Sequence, residues 1–231
     1  MPTDFYRSYA SHKRYRSPTI GRKELRRFDR EIWRPAGCAP GMAFLDLGCG
    51  TGAFLAYLAA KGVSRRIGID QDPALAEVLP EAVRGDFRCG DALTLLADPG
   101  LGTFDRIVLL DVLEHFSPAA GYELLLAARA RLAPGGRLVV KVPNAGCPWG
   151  LGYQFGDLTH RTAFAPIALR QLADAAGFDA ALHPQRLGSP RRRLTDALLH
   201  RFLSWALLAP PEIWTANFYA ILTPRPEDNR R

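Results

Sequence analysis

The stretch Phe44-Leu45-Asp46-Leu47-Gly48-Cys49-Gly50-Thr51-Gly52-Ala53-Phe54-Leu55 decides the fold. Residues Ala43 to Leu47 are apolar enough for a buried parallel strand. Glycines at 48, 50 and 52 then make a tight turn, and Ala53 to Ala60 reads as a helix leaving it. Strand, glycine turn and helix together let backbone approach a nucleotide-like ligand closely. A Cβ at those glycines would fill the space or forbid the dihedrals. The spacing is G-x-G-x-G, not the dinucleotide pattern G-x-G-x-x-G, because position 53 is alanine. Asp46 stands just before the turn, where it would repel a pyrophosphate and would suit a ligand carrying positive charge.

Outward from this stretch the chain alternates strand and helix. Strands are expected at Arg65–Ile69, Val83–Arg88, Phe104–Leu110, Arg137–Val142, Phe178–Leu182 and Thr215–Leu222. Helices are expected at Ala53–Lys61, Ala74–Leu79, Ala119–Leu132 and Pro166–Ala176. Pro134-Gly135-Gly136 is read as the end of the third helix. The alternation predicts an α/β fold, a mostly parallel sheet with helices on both faces. Ligands of such sheets bind at the carboxyl ends of the strands. Residues 1–40 read as a helical extension serving as a cofactor or substrate lid, with a helix over Lys23–Trp33; 41–231 form the main domain, with a helical insertion at about 190–210.

Asp70 closes the second strand, about twenty residues after the glycines, where a carboxylate can accept both hydroxyls of a ribose. Its alternative role is a helix N-cap, shared with Asp72. Asp91, in Gly90-Asp91-Ala92, has the same two readings, and is preferred to Asp86 because Asp86 would lie within the third strand. The run Phe104-Asp105-Arg106-Ile107-Val108-Leu109-Leu110-Asp111-Val112-Leu113-Glu114-His115-Phe116 carries a buried strand into a polar end.

These segments, with Leu132-Ala133-Pro134-Gly135-Gly136-Arg137-Leu138-Val139-Val140, resemble the ordered motifs of the class I S-adenosylmethionine (SAM) dependent methyltransferases over about residues 40 to 180. The resemblance implies a Rossmann-like seven-stranded fold and SAM as cofactor. It implies cofactor contacts from Asp46, Gly48, Cys49, Gly50, Gly52, Asp70, Gln71, Asp91, Ala92, Asp111 and Val112. The run D-V-L-E-H-F and the later Gly156–Phe164 segment are similar to O-methyltransferases of bacterial surface-polysaccharide and quinone biosynthesis. The expected acceptor is therefore a sugar or lipid-linked saccharide, or alternatively a quinone-type phenol. A SAM-fold binding module without catalysis is the reading from a different class.

Pro143–Phe164 is expected as a loop of about twenty residues, a length usually tied to function. It carries Trp149, Tyr153, Phe155, Asp157, His160 and Arg161, and reads as a substrate lid. Methyl transfer to an alcohol needs alignment and a proton acceptor. His160 and His115 are the candidate bases, with Asp157 expected to orient His160; His12, His183 and His200 lie in less suggestive contexts. Asp111, Glu114 and His115 resemble the E-x-x-E-H metal site of ubiquinone-pathway enzymes, but Asp111 is one methylene short and no metal is expected.

Composition bounds the rest. The 231 residues suit one domain with additions, at 48% hydrophobic and 23% charged content. Cys38, Cys49, Cys89 and Cys147 are dispersed, which fits a reducing compartment better than a disulfide or zinc framework. The N-terminus has no apolar core of a signal peptide and no segment is long enough to span a bilayer, so a cytoplasmic protein is expected. Net charge is +7, yet no sequence signature of a nucleic-acid module is present and nucleic acid is not an expected partner. Arg191-Arg192-Arg193 precedes a helical stripe of Leu194, Leu198, Phe202 and Trp205. A basic start with an apolar, Trp-bearing face is a feature of helices at a membrane surface, so peripheral contact through 191–208, at the inner face of the membrane, is expected alongside the plainer reading of a packing helix. The sequence does not fix the oligomeric state.

Overall fold

A computed structural model describes residues 15–226. The first fourteen residues of the expected extension, His12 among them, lie outside the described residues. The chain runs α1 (Arg22–Phe28), β1 (Phe44–Leu47), α2 (Ala53–Ala60), β2 (Arg66–Asp70), α3 (Leu75–Val78), α4 (Glu81–Arg84), β3 (Phe87–Cys89) and α5 (Ala92–Ala97). It continues through β4 (Phe104–Leu110), α6 (Pro118–Ala130), β5 (Leu132–Pro143), α7 (Pro148–Phe155), α8 (Pro166–Ala175), β6 (Phe178–Pro184), α9 (Pro190–Ala206) and β7 (Asn217–Pro224). Among the described residues seven strands form one sheet in the order β3-β2-β1-β4-β5-β7-β6. β1 pairs in parallel with β2 and β4, and β7 runs antiparallel to both β5 and β6.

Alternation along the central strands sends side chains to two cores. Leu45, Leu47, Ile107, Leu109, Leu138 and Val140 face Leu124, Leu125 and Leu169 of α6 and α8. Phe44, Val108, Val139, Tyr219 and Ile221 face Phe54, Tyr57 and Leu58 of α2 and Phe28 and Ile32 of the N-terminal segment. The described part of the extension thus packs as a layer on the sheet and α2. Its helix is α over Arg22–Phe28 and becomes a π-helical turn over Asp29–Trp33. Tyr57 and Lys61 of the α2 region both donate to Asp29 Oδ1, at 2.7 and 3.0 Å, which pins that turn to α2.

Three expectations are corrected. Val83–Arg88 is not one strand: Glu81–Arg84 is a helical turn after Pro80, and the strand begins at Phe87. Asp86 therefore precedes β3 and pairs with Arg66 at 2.7 Å. Pro134-Gly135-Gly136 does not end α6, which stops at Ala130; it lies inside β5 where the register against β4 shifts. The expected loop 143–164 contains α7, with Pro148 in its first turn. Gly150 within α7 is there for space, since a Cβ would stand 1.9 Å from the Asn144 carbonyl oxygen.

Candidate active site

The glycine turn is held from both sides. Gly48, Gly50 and Gly52 have φ of 70°, 52° and 79°, in the left-handed region that penalises any Cβ. A Cβ on Gly48 would lie 2.4 Å from Val112 Cγ2, and one on Gly52 would lie 2.3 Å from Leu79 Cδ2. At Gly50 the same atom would meet nothing within 4 Å. The first and third glycines therefore serve packing, and the second opens a cradle.

Asp70 ties the next strand end to that cradle. Its Oδ2 accepts from the Gly50 N–H at 2.9 Å, and its Oδ1 accepts from the Asp72 N–H at 3.2 Å. The turn and the carboxylate are one hydrogen-bonded unit, so the ribose and turn-forming readings coexist at this residue. Asp46 is buried beneath, and burial followed by the nearby Asp70 pushes its carboxyl well above the usual range. A cationic group above the turn would offset that repulsion, as the sequence reading anticipates. Cys49 is buried below the turn, its thiol raised by burial, and Gly68 makes room: a Cβ there would be 2.9 Å from Cys49 Sγ. Gln71 is exposed beyond β2. Tyr15 donates to Asp72 Oδ2 at 3.0 Å, bringing the extension to this loop.

Asp91 caps α5, accepting from the Thr94 N–H and hydroxyl at 2.9 Å each. Ala92 packs at the edge of the core. Asp111 directly follows β4 with φ 58°, the sole non-glycine residue with positive φ among those described. Such conformations are costly and cluster at functional positions. Lys141 Nζ holds its carboxylate at 2.5 Å. Val112 follows, against Gly48.

His115 sits on a short 3-10 turn, Leu113–His115, directly after this strand end. The Glu114 carbonyl accepts from the backbone N–H groups of Arg161 and Thr162 at 2.8 and 3.1 Å, and the Thr162 hydroxyl donates to the Phe116 carbonyl at 2.6 Å. These bonds fold the segment after α7 back, and the His115 and His160 rings meet edge-to-face with centroids 4.7 Å apart. The expected Asp157–His160 pair is not formed. Asp157 Oδ1 accepts from the Thr159 hydroxyl at 2.6 Å, and Thr159 Oγ1 lies 2.9 Å from His115 Nδ1. A hydroxyl that donates to a carboxylate accepts from its other neighbour, so His115 carries its proton on Nδ1. His160 Nδ1 lies 2.8 Å from the Gln154 carbonyl and is likewise the donor. In the neutral rings each lone pair is then on Nε2.

Glu114 is fully buried beside them, and neither carboxylate oxygen has a hydrogen-bond partner among the described residues. Burial, then the charge of Asp111, pushes its carboxyl up to about 8. Ligand atoms of Glu114, His115 and His160 lie within 4.8 Å of one another. Asp111, the residue the E-x-x-E-H resemblance would use, is instead engaged with Lys141. Sequence reasoning missed Thr159 and Lys141 as positioning groups; the Asp-x-Thr-His order was the only signal for the first.

Similarity to known proteins bears on the family and the fold. The model of the methyltransferase domain family matches residues 14–183. A magnesium-protoporphyrin O-methyltransferase of Rhodobacter capsulatus is 32% identical over 145 residues, 59% of this chain and 62% of that protein. The chain thus spans less than two thirds of that relative's length. Among solved structures, a SAM-dependent methyltransferase from Archaeoglobus fulgidus superposes with a TM-score of 0.65 at 20% identity, over 95% of this chain and 99% of that one. Magnesium protoporphyrin IX methyltransferase from Synechocystis PCC 6803, with bound SAH, gives 0.58 at 16% identity over 96% of each chain. The family model spans 170 of the 231 residues, from the N-terminal segment through β6, and the chain therefore belongs to the methyltransferase domain family.

Proposed function

We propose that the chain methylates an oxygen of its acceptor, and that the acceptor is a sugar or lipid-linked saccharide. The observation that carries the oxygen reading is the His115–His160 pair, two imidazoles edge-to-face beyond the end of β4, each ring anchored through Nδ1. SAM supplies a methyl that is already activated as a sulfonium. The residues Gly48, Gly50, Gly52, Asp46 and Asp70 would hold it, and the open space at Gly50 fits that role. The protein's task is then to align the acceptor in line with the methyl and accept its hydroxyl proton. Asp157 orients His115 through the Thr159 hydroxyl, and the Gln154 carbonyl orients His160. Exposed Trp149, Tyr153 and Phe155 on α7 offer flat faces to a sugar ring.

A second reading rests on Glu114. Two orphaned oxygens on a fully buried carboxylate, beside two histidines with anchored Nδ1 atoms, fit a divalent ion held by Glu114, His115 and His160. Such an ion would supply Lewis-acid activation of the acceptor oxygen, and a phenol or a porphyrin acceptor of the kind named for the Rhodobacter relative would then gain support. The test is turnover of SAM against a panel of free sugars, lipid-linked saccharides, phenols and magnesium-protoporphyrin. Turnover with the saccharides alone supports the first reading; turnover with the porphyrin or phenols alone contradicts it.

A further inference from the structure

Helix α9 is amphipathic with its faces reversed. At 3.6 residues per turn, Leu194, Leu198, Phe202 and Trp205 share an arc of about 80°. Their exposures are 63%, 60%, 57% and 80%, and no residue of the helix is buried. The opposite side meets the domain: Arg193, His200 and Leu203 are half-buried. The Trp214 ring stacks on His200 with centroids 5.1 Å apart, and Trp214 Nε1 donates to Ser204 Oγ at 2.9 Å. A helix packing for stability turns its apolar stripe inward. This one turns polar groups inward and presents the stripe to solvent, where an apolar face of this kind marks an interaction site.

The charge on the helix indicates the partner. Between Pro190 and Ala206 the sequence has Arg191, Arg192, Arg193 and Arg201 against a single acid, Asp196. Arg191 and Arg201 fall on or beside the apolar arc, where their stems can lie along it and their heads reach outward. A second copy of the chain would set the same arginines against one another. An anionic bilayer surface takes both features, apolar side chains at the acyl boundary and guanidinium groups among phosphates. No helix among the described residues is long and apolar enough to cross a membrane, so the contact is interfacial.

We propose that α9 docks the enzyme on an anionic membrane surface, with Leu194, Leu198, Phe202 and Trp205 at the headgroup–acyl boundary. A strut connects this helix to the acceptor segment. Asn144 Nδ2 donates to the Ile213 and Thr215 carbonyls at 2.7 and 3.0 Å, and Cys147 Sγ lies 3.5 Å from the Trp214 carbonyl. Trp214 props α9, and Asn144 and Cys147 root α7. Docking would therefore bear on the root of the lid, which suits an acceptor delivered from lipid. The docking itself stands whichever acceptor is used.

The test is vesicle flotation of the full chain with phosphatidylcholine alone and with phosphatidylcholine containing phosphatidylglycerol. Three proteins are compared: wild type, Phe202→Glu/Trp205→Glu, and Arg191→Ser/Arg192→Ser/Arg193→Ser. These side chains are mostly exposed, and unchanged circular dichroism and thermal midpoint establish that each variant is folded. Wild type is expected to float with the anionic vesicles and to be released by high salt. Arg193 faces the domain, so the triple variant should lose about thirtyfold in partitioning, from Arg191 and Arg192, and the double variant should not float. Absence of wild-type flotation, equal flotation of the variants, or equal binding to neutral vesicles overturns the proposal. A dimer that the double variant abolishes, without flotation by the wild type, assigns the face to self-association instead.

Discussion

His115 and His160 come from segments forty-five positions apart and stand edge-to-face, 4.7 Å between ring centroids, each fixed through its Nδ1 atom. One ring is placed by the turn after β4 and the other by the segment after α7, bonded back to the Glu114 carbonyl. The arrangement sets two imidazoles of fixed orientation side by side beyond the end of β4.

The first prediction follows from that pairing. His115→Ala and His160→Ala should each lower turnover, by roughly 10²–10⁴-fold for whichever ring takes the proton, while SAM affinity stays near wild type. Thr159→Val should reproduce part of the His115 loss by releasing its orientation. The checks are steady-state turnover and calorimetric SAM binding. With chelator present the proton-acceptor reading expects unchanged turnover; loss of activity restored by an added divalent ion would reassign Glu114, His115 and His160 to a metal centre.

Asp70 should couple loop geometry to cofactor affinity. Its carboxylate holds the Gly50 N–H at 2.9 Å, and a charged hydrogen bond is worth about 1.5–3 kcal/mol. Asp70→Ala is expected to weaken SAM binding about ten- to a hundredfold while the protein remains folded. An unchanged dissociation constant would leave Asp70 a turn-former alone.

The glycines should separate by role. Gly48→Ala meets Val112 Cγ2 at 2.4 Å and pays the left-handed penalty of about 1–2 kcal/mol. Gly50→Ala pays the same backbone penalty and meets nothing. Gly48→Ala should therefore be the less stable in urea unfolding, and Val112→Ala should recover the difference but not the backbone cost. Gly50→Ala should lose SAM affinity out of proportion to its stability.

Glu114 sets a pH dependence. Its folded-state carboxyl is raised, by burial and then by Asp111, to about 8, above the ordinary value of 4.5. The folded state then holds a proton that the unfolded chain releases, so stability falls as pH rises from about 4.5 to about 8. Glu114→Gln removes that proton from the balance. Its thermal midpoint should change less over this range than that of wild type, and parallel profiles would show that Glu114 is ionised in the folded protein.

The features legible in the sequence were those that backbone demands. Three glycines at alternate positions are needed wherever a chain turns through positive φ beside Val112 and Leu79, so β1, the turn and α2 could be read directly. Short apolar runs were not decisive: Val83 fits a strand or a helical turn equally well, and Pro80 favoured the turn. The helix α7 was hidden because Gly150, which reads as a loop residue, is required by the Asn144 carbonyl. The His160 partner was misassigned because proximity in sequence favoured Asp157, whereas the fold-back onto Glu114 gives that carboxylate to Thr159. For α9 the stripe was evident from periodicity, but which side would meet the domain depends on Trp214, outside the helix.

The most direct test of the central claim is equilibrium calorimetry of the purified chain with SAM, its demethylated product SAH, and NAD. Saturable binding of SAM and SAH is expected at about micromolar concentrations, weakened by Asp70→Ala, with no binding of NAD. Binding of NAD with no heat from SAM or SAH would contradict it.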